Sequence, residues 1–184
     1  SYVKPIKYTL KSDFREKVSG SVVENPHIYK NAWVTSLTGL TPSGAWTEYT
    51  QANYDKIKTL DSISPINSCN QNTKMAMDMF SFNIIEFLER KYGTQVWNGK
   101  TLLSDKIAIA KNVITFINCA WNGYGSSPTG NKATFLRWRN DNNTWYGALT
   151  HTNGTVSKLI SYGNNNDAQV MIGTDRFVHF IAYP

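Results

Sequence analysis

The residues best equipped for chemistry crowd into the stretch 121–146: Trp121, Tyr124, Asn131, Arg137, Trp138, Arg139, Trp145 and Tyr146. An aromatic ring offers a flat apolar face on which the C–H face of a sugar ring packs. Asn and Arg side chains donate hydrogen bonds to hydroxyls. Rings and donors at this spacing make a candidate carbohydrate-binding surface. They flank a loop holding Gly123, Gly125, Pro128 and Gly130, where Gly supplies positive φ and Pro presets a turn, so the chain must reverse direction there. The competing reading is packing, since Trp121 and Trp138 also fit a core or a subunit interface.

Other chemistries find less support. His27, His151 and His179 lie far apart, and no HExxH or CxxC spacing exists, so no metal ligand is assigned. Cys119 with His151 or His179 could form a nucleophile–base pair, but Cys119 carries no local nucleophile signature. Asp141, Asp167 and Asp175 sit in turn-rich segments, where Asp usually bonds its own backbone. Glycoside hydrolysis usually needs two facing carboxylates, and nothing in the spacing points to such a pair. Gly123-Tyr124-Gly125 precedes a strand pattern rather than a helix, so it is no dinucleotide fingerprint. Asn142 and Asn153 match glycosylation acceptors but are read as turn residues. No catalytic residue and no cofactor is assigned.

Composition narrows the class. Asn occurs nineteen times, as often as Lys and Arg together, and only 17% of residues are charged. A surface built on amides suits an extracellular binding protein. The net charge of +6 is scattered rather than gathered into a basic block, which argues against nucleic acid and is compatible with anionic cell-wall polymers. No apolar run reaches the length needed to span a membrane, and no signal peptide is visible. Because the sequence starts at Ser1, it is read as a processed chain or an excised piece. Two cysteines, Cys69 and Cys119, exclude a disulfide-dense scaffold; reduced thiols are favoured and a single bridge stays open.

The elements that would position these residues divide into two regions. Residues 1–112 read as loops and helices, with an extended lead-in at Ile6, Tyr8 and Leu10 and a short strand over 32–37. A short helix or turn falls at 49–61, a long helix at 74–92 ends at Gly93, and a second helix runs over 104–112. Trp33 and Trp46 are expected to be buried beneath these helices. Residues 113–184 read as strands at 113–121, 131–138, 144–150, 155–162, 168–172 and 176–183. Asn153-Gly154 is read as a hairpin turn between the third and fourth of these. In the strand 131–138, Ala133, Phe135 and Arg137 share one face, with Thr134, Leu136 and Trp138 on the other. The fold expected is α+β, a small helical N-terminal half followed by a C-terminal antiparallel β-sandwich.

Six runs carry a family likeness: DFREKVSGSVVENPH (13–27), MFSFNIIEFLERKYG (79–93), SDKIAIAKNV (104–113), WNGYGSSPTGNKA (121–133), THTNGTVSKL (150–159) and RFVHFIAYP (176–184). In order and spacing the chain resembles modules of tail and baseplate proteins from phages and prophages of Gram-positive bacteria. The run at 121–133 is the most specific part. The resemblance implies a component of a virion tail or phage-like particle near the receptor-binding tip. Its expected role is attachment to the bacterial surface, by binding cell-wall glycan or teichoic acid beside other tail proteins and as a homotrimer. It also implies a further strand after the position of Pro184, from this chain or another subunit. It transfers no catalytic residue. A purely architectural tail protein and, less favoured, a glycan-cleaving depolymerase using Asp141, Asp167, Asp175 or N-terminal Glu residues are the alternatives.

Overall fold

The computed structural model describes residues 9–61 and 63–184, so the expected lead-in at Ile6 and Tyr8 lies outside the described residues. In chain order the elements are β1 (Ile28–Val34), β2 (Thr47–Glu48), α1 (Gln51–Ile57), β3 (Met75–Asn83), α2 (Ile84–Tyr92), α3 (Leu103–Val113) and β4 (Cys119–Gly123). They continue with β5 (Ser126–Ser127), β6 (Gly130–Asn131), β7 (Ala133–Arg139), β8 (Thr144–His151), β9 (Ser157–Ser161), α4 (Asp167–Met171) and β10 (Phe177–Tyr183). A single turn of 3-10 helix, Thr94–Trp97, joins α2 to α3.

The architecture is mostly sheet, which corrects the expected helical N-terminal half with its separate C-terminal sandwich. Six antiparallel strands form one sheet in the order β2-β1-β3-β10-β7-β8. Three of them precede residue 112 and three follow it, because β10 pairs with β3 on one side and β7 on the other. The error lies in 74–92, which is not one helix. Its first half is β3, where Met75, Met77, Met79 and Ser81 alternate with Ala76, Asp78, Phe80 and Phe82. Such a run is apolar on both sides because both faces of a central strand are covered, and that hides the alternation. The chain turns helical only after Asn83, whose side-chain oxygen accepts the Glu86 N–H at 3.0 Å as an N-cap.

Register builds the two faces. On one, Tyr29, Phe80, Phe180, Arg137 and Tyr146 form a single row across five strands. Over it pack Ile85 and Leu88 of α2, Ile107 and Ala110 of α3, Trp97, Ala168, Val170 and Met171 of α4, and Ile172 just beyond it. On the other face Met77, Met79, Leu136 and Ile181 are covered by Leu37, Leu40 and Trp46 of the 35–46 loop. Trp46 therefore packs on the sheet as part of a loop rather than beneath a helix, and Trp33 is only partly covered, with 41% of its surface exposed.

The remaining strands depart from expectation in instructive ways. Residues 168–171 are helical, within α4, rather than a strand, and Ile172 is its extended C-cap. The Asn153-Gly154 turn does not close a hairpin; β9 leaves β8 and pairs with β4 as a separate two-stranded ribbon. That ribbon lies on the helix-bearing side, with Trp121 stacked on Phe135 at 6.2 Å between ring centroids. A second sheet layer thus exists, but it is two strands wide.

Candidate binding surface at the β7–β8 edge

The eight candidate residues divide among three places. Arg137, Arg139 and Tyr146 come together on the helix-bearing face at the β8 edge of the sheet. Trp138 and Trp145 point to the opposite face, where their rings meet edge-on at 4.9 Å. The Trp138 N–H donates to Asn140 Oδ1 at 3.1 Å and the Trp145 N–H to the Leu40 carbonyl at 2.9 Å, so Trp145 is anchored to the 35–46 loop and Trp138 is buried beside it. Trp121, Tyr124 and Asn131 belong to the β4–β6 region. Trp121 packs flat against Phe135 and His151, and its ring folds back so closely over Gly123 that a Cβ there would lie 2.2 Å from it. Tyr124 and Asn131 are exposed. The structure brings together one cluster of three, not a platform of eight.

A β-bulge positions that cluster. Tyr146 opposes Arg137 and Leu149 opposes Phe135, so β8 spends three steps where β7 spends two. Gly147 absorbs the extra residue at φ +70, a conformation favourable only to glycine. A Cβ there would stand 3.3 Å from Arg137 Nε, so the glycine also admits the arginine stem. The guanidiniums of Arg137 and Arg139 then lie 4.8 and 5.1 Å from the centre of the Tyr146 ring. Cation–π attraction of this kind fixes the ring without consuming its hydroxyl.

Each arginine is tied to a carboxylate in a different environment. Arg137 Nη1 donates to Asp167 Oδ2 at 3.1 Å, with 11% and 1% of the two side chains exposed. The same nitrogen reaches the Tyr162 carbonyl at 3.3 Å, and Asp167 Oδ2 also accepts the Asn164 N–H at 2.7 Å. Arg139 grips Asp141 with two bonds, 2.7 and 2.5 Å, at the exposed edge. That fork raises the Arg139 pKa and lowers that of Asp141. Burial, working against the nearby arginines, raises the Tyr146 phenol, so it stays protonated. Two groups of the cluster, Arg137 Nε and the Tyr146 hydroxyl, are buried with no hydrogen-bond partner among the described residues. A donor and a hydroxyl left unpaired beside a half-exposed ring are costly unless water or a ligand engages them.

The same geometry bears on the catalytic alternatives. Asp141, Asp167 and Asp175 are each held by a cation or an imidazole rather than set as a facing pair. Cys119 lies in β4 against the core, where burial pushes its thiol up to about 12, away from the reactive thiolate. His151 is taken up locally: its Nδ1 accepts the Asn153 N–H at 3.2 Å, which leaves Nε2 to donate to the Gly123 carbonyl at 3.1 Å. Among the described residues no group of three or more His, Cys, Asp or Glu is placed to hold a metal, and no helix is long and apolar enough to cross a membrane.

Sequence reasoning found the Arg and Tyr of this cluster but missed Asp167, which it read as a turn residue. The one legible signal was the alternation placing Arg137 on the inward face of β7, where a buried guanidinium demands a carboxylate. Comparison with family models, curated proteins and solved structures finds no match to this chain.

Proposed function

We propose that this chain is a host-attachment module of a phage tail tip, baseplate or phage-like particle, and that it contacts cell-wall carbohydrate through the β7–β8 edge. The observation that carries the reading is the Arg137–Tyr146–Arg139 cluster, with its two unpaired polar groups at the sheet edge. An aromatic face flanked by charged donors and a neutral hydroxyl matches the alternating C–H and O–H surface of a sugar. The resemblance of the 121–133 run to tail and baseplate modules supplies the biological setting, and the net charge of +6 suits a wall rich in phosphate polymers. A homotrimer beside other tail proteins belongs to the same proposal.

The test is binding of the purified chain to isolated Gram-positive cell walls, with and without extraction of teichoic acids. Saturable binding that weakens about tenfold in Arg139→Gln and Tyr146→Phe supports the reading. Trp138→Phe, a conservative change at a buried ring on the opposite face, serves as the fold control. Absence of binding by the assembled protein overturns it and favours an architectural role. The exposed apolar residues Val113, Phe116 and Tyr162 favour that second reading, since Tyr162 and Phe116 flank the contact between Gly163 and Asn118 and would suit a protein neighbour.

A further inference from the structure

A second constellation stands at the opposite end of the sheet, on residues that neither the 121–146 stretch nor the β7–β8 cluster includes. β2 pairs only with Lys30 and Asn31, so Trp33 lies on β1 beyond its neighbour's reach and the sheet edge there is bare. Trp33 and Asn31 share the helix-bearing face with Ala76 and Asp78 of β3. Yet the covering helices do not extend over Trp33, which is among the most exposed large rings of the described residues.

The exposed ring is fixed rather than loose. Its N–H points to Asn67 Oδ1 at 3.4 Å. The Asn67 amide is oriented in turn, donating to the Met77 carbonyl at 3.1 Å and to Asp78 Oδ1 at 3.0 Å. From beneath, the Tyr49 hydroxyl donates to the same Asp78 oxygen at 2.5 Å, and Tyr49 is itself held by stacking on Tyr29 at 4.1 Å. An indole anchored by its polar end leaves its exposed surface free to stack on a ligand. A half-buried carboxylate beside it offers acceptor positions to hydroxyl donors. Burial pushes the Asp78 carboxyl above the ordinary carboxylate range despite the hydrogen bonds from Tyr49, Asn67 and Tyr29.

The geometry points to Trp33, Asn67 and Asp78 as a pyranose-binding subsite for a neutral sugar, which stacks its C–H face on the indole and donates a hydroxyl to the Asp78 carboxylate. Charge sets the ligand class. The carboxylate repels phosphate and uronate groups, so this edge selects uncharged rings, in contrast to the arginine-lined β8 edge. A glycan chain with neutral and anionic units would then meet complementary chemistry at the two edges of one sheet face. This inference rests on reading the chain as a glycan-contacting module, but on different residues.

The test uses the full chain with soluble probes: an N-acetylglucosamine tetramer, glucose, galactose and glycerol phosphate. Saturation-transfer NMR reads the ring protons of each. The expected result is transfer to a neutral sugar, lost by about tenfold or more in Trp33→Ala, weakened in Asp78→Asn and retained in Trp33→Phe, which keeps a ring. Glycerol phosphate should gain nothing from Trp33. Because Trp33 is exposed, Trp33→Ala is expected to keep the native circular dichroism; if it does not, the Trp33→Phe and Asp78→Asn pair carries the test. Equal sugar signals in wild type and Trp33→Ala, or no signal from any neutral sugar, overturn the subsite. Loss of cell-wall binding in Arg139→Gln with the Trp33-dependent sugar signal intact would confirm that the two edges act separately. An intact sugar signal without cell-wall binding would sink the attachment reading alone.

Discussion

Ser81 and His179 lie directly opposite one another on β3 and β10, with Ser81 Oγ 2.7 Å from His179 Nδ1. The other ring nitrogen, Nε2, stands 2.7 Å from Asp175 Oδ2 in the turn that leads into β10. The three residue types are those of a hydrolase triad, but the arrangement is not one. Ser81 is a mid-strand residue only 3% exposed, so no substrate carbonyl reaches it. The chain of bonds instead ties two central strands to the 173–176 turn. Burial works to raise the Asp175 pKa, but the hydrogen bond and charge of His179 outweigh it and hold the carboxyl below its usual range. A depressed folded pKa stabilises the protein above the unfolded value of about 4, and the gain is lost as pH falls through the folded value. Fluorophosphonate probes should therefore leave Ser81 unlabelled. Ser81→Ala, which strands a buried imidazole nitrogen, should cost about 1–3 kcal/mol in urea unfolding. Labelling of Ser81 in the native protein would contradict this account.

His27 supplies the clearest pH dependence. It is buried, with Nδ1 accepting the Asn83 N–H at 3.0 Å and Nε2 engaged by Ser12 Oγ. Burial, then the positive charges of Lys17 and Arg90, lower its pKa to about 4. The unfolded chain takes up its proton near 6.5 and the folded chain only near 4, so stability is full above 6.5 and drains away between those values. The expected loss is about 3 kcal/mol between pH 7 and pH 4, read from urea midpoints at several pH values. His27→Gln should start less stable but show a flatter profile. An unchanged profile in that variant would remove His27 as the cause.

Much of the chain's local order is legible in its residues, and the failures share one physical origin. The strands β7, β8 and β10 follow from β-prone residues bounded by turn signals, and α3 follows from its apolar spacing at Ile107 and Ala110, although no side chain caps its N-terminus. β3 does not, since Met, Phe and Ser on both of its faces are covered and the run satisfies a helical stripe equally well. That one misreading conceals the shared sheet, because β3 is the strand that joins the N-terminal strands to β10. The hairpin at Asn153-Gly154 misleads for a different reason: turn chemistry fixes a reversal, not the partner, and β9 finds β4 instead. At the candidate site, alternation separates Arg137 from Trp138, but nothing local announces that Asp167, thirty residues on, supplies the counter-charge. Trp33 is hidden for a similar reason, since its exposure depends on how short β2 is.

Cysteine chemistry gives a direct check on the core. Cys119 pairs across from Ser161 within the β4–β9 ribbon and packs against the main core, and burial drives its pKa to about 12. Cys69 lies in the 63–73 loop, near exposed Ile66. In the native protein at pH 8, iodoacetamide should modify Cys69 and spare Cys119, with both labelled in urea. Mass spectrometry of the peptides distinguishes the two. Fast modification of Cys119 would mean that the ribbon opens and would revive it as a nucleophile.

The two arginine pairs of the β7–β8 cluster should differ sharply in what they contribute to stability, although they sit two residues apart on one strand. Arg139–Asp141 is exposed, and its bidentate geometry works against solvent screening and side-chain entropy, so Asp141→Asn should leave the urea midpoint nearly unchanged. Asp167 is 1% exposed and answers a guanidinium that is itself nearly covered. Asp167→Asn keeps the shape but leaves the Arg137 charge uncompensated in the core, which should cost about 3–5 kcal/mol. Arg137→Met in the same background should recover much of that loss, because an apolar pair removes the stranded charge. Cell-wall binding separates stability from recognition. Asp141→Asn frees the Arg139 fork for a ligand and should keep or strengthen binding, whereas Arg137→Met/Asp167→Asn should fold yet bind more weakly, having lost one of the two cations over Tyr146. If the double variant folds and binds as wild type does, Arg137 is a structural residue and the surface reduces to Arg139 and Tyr146.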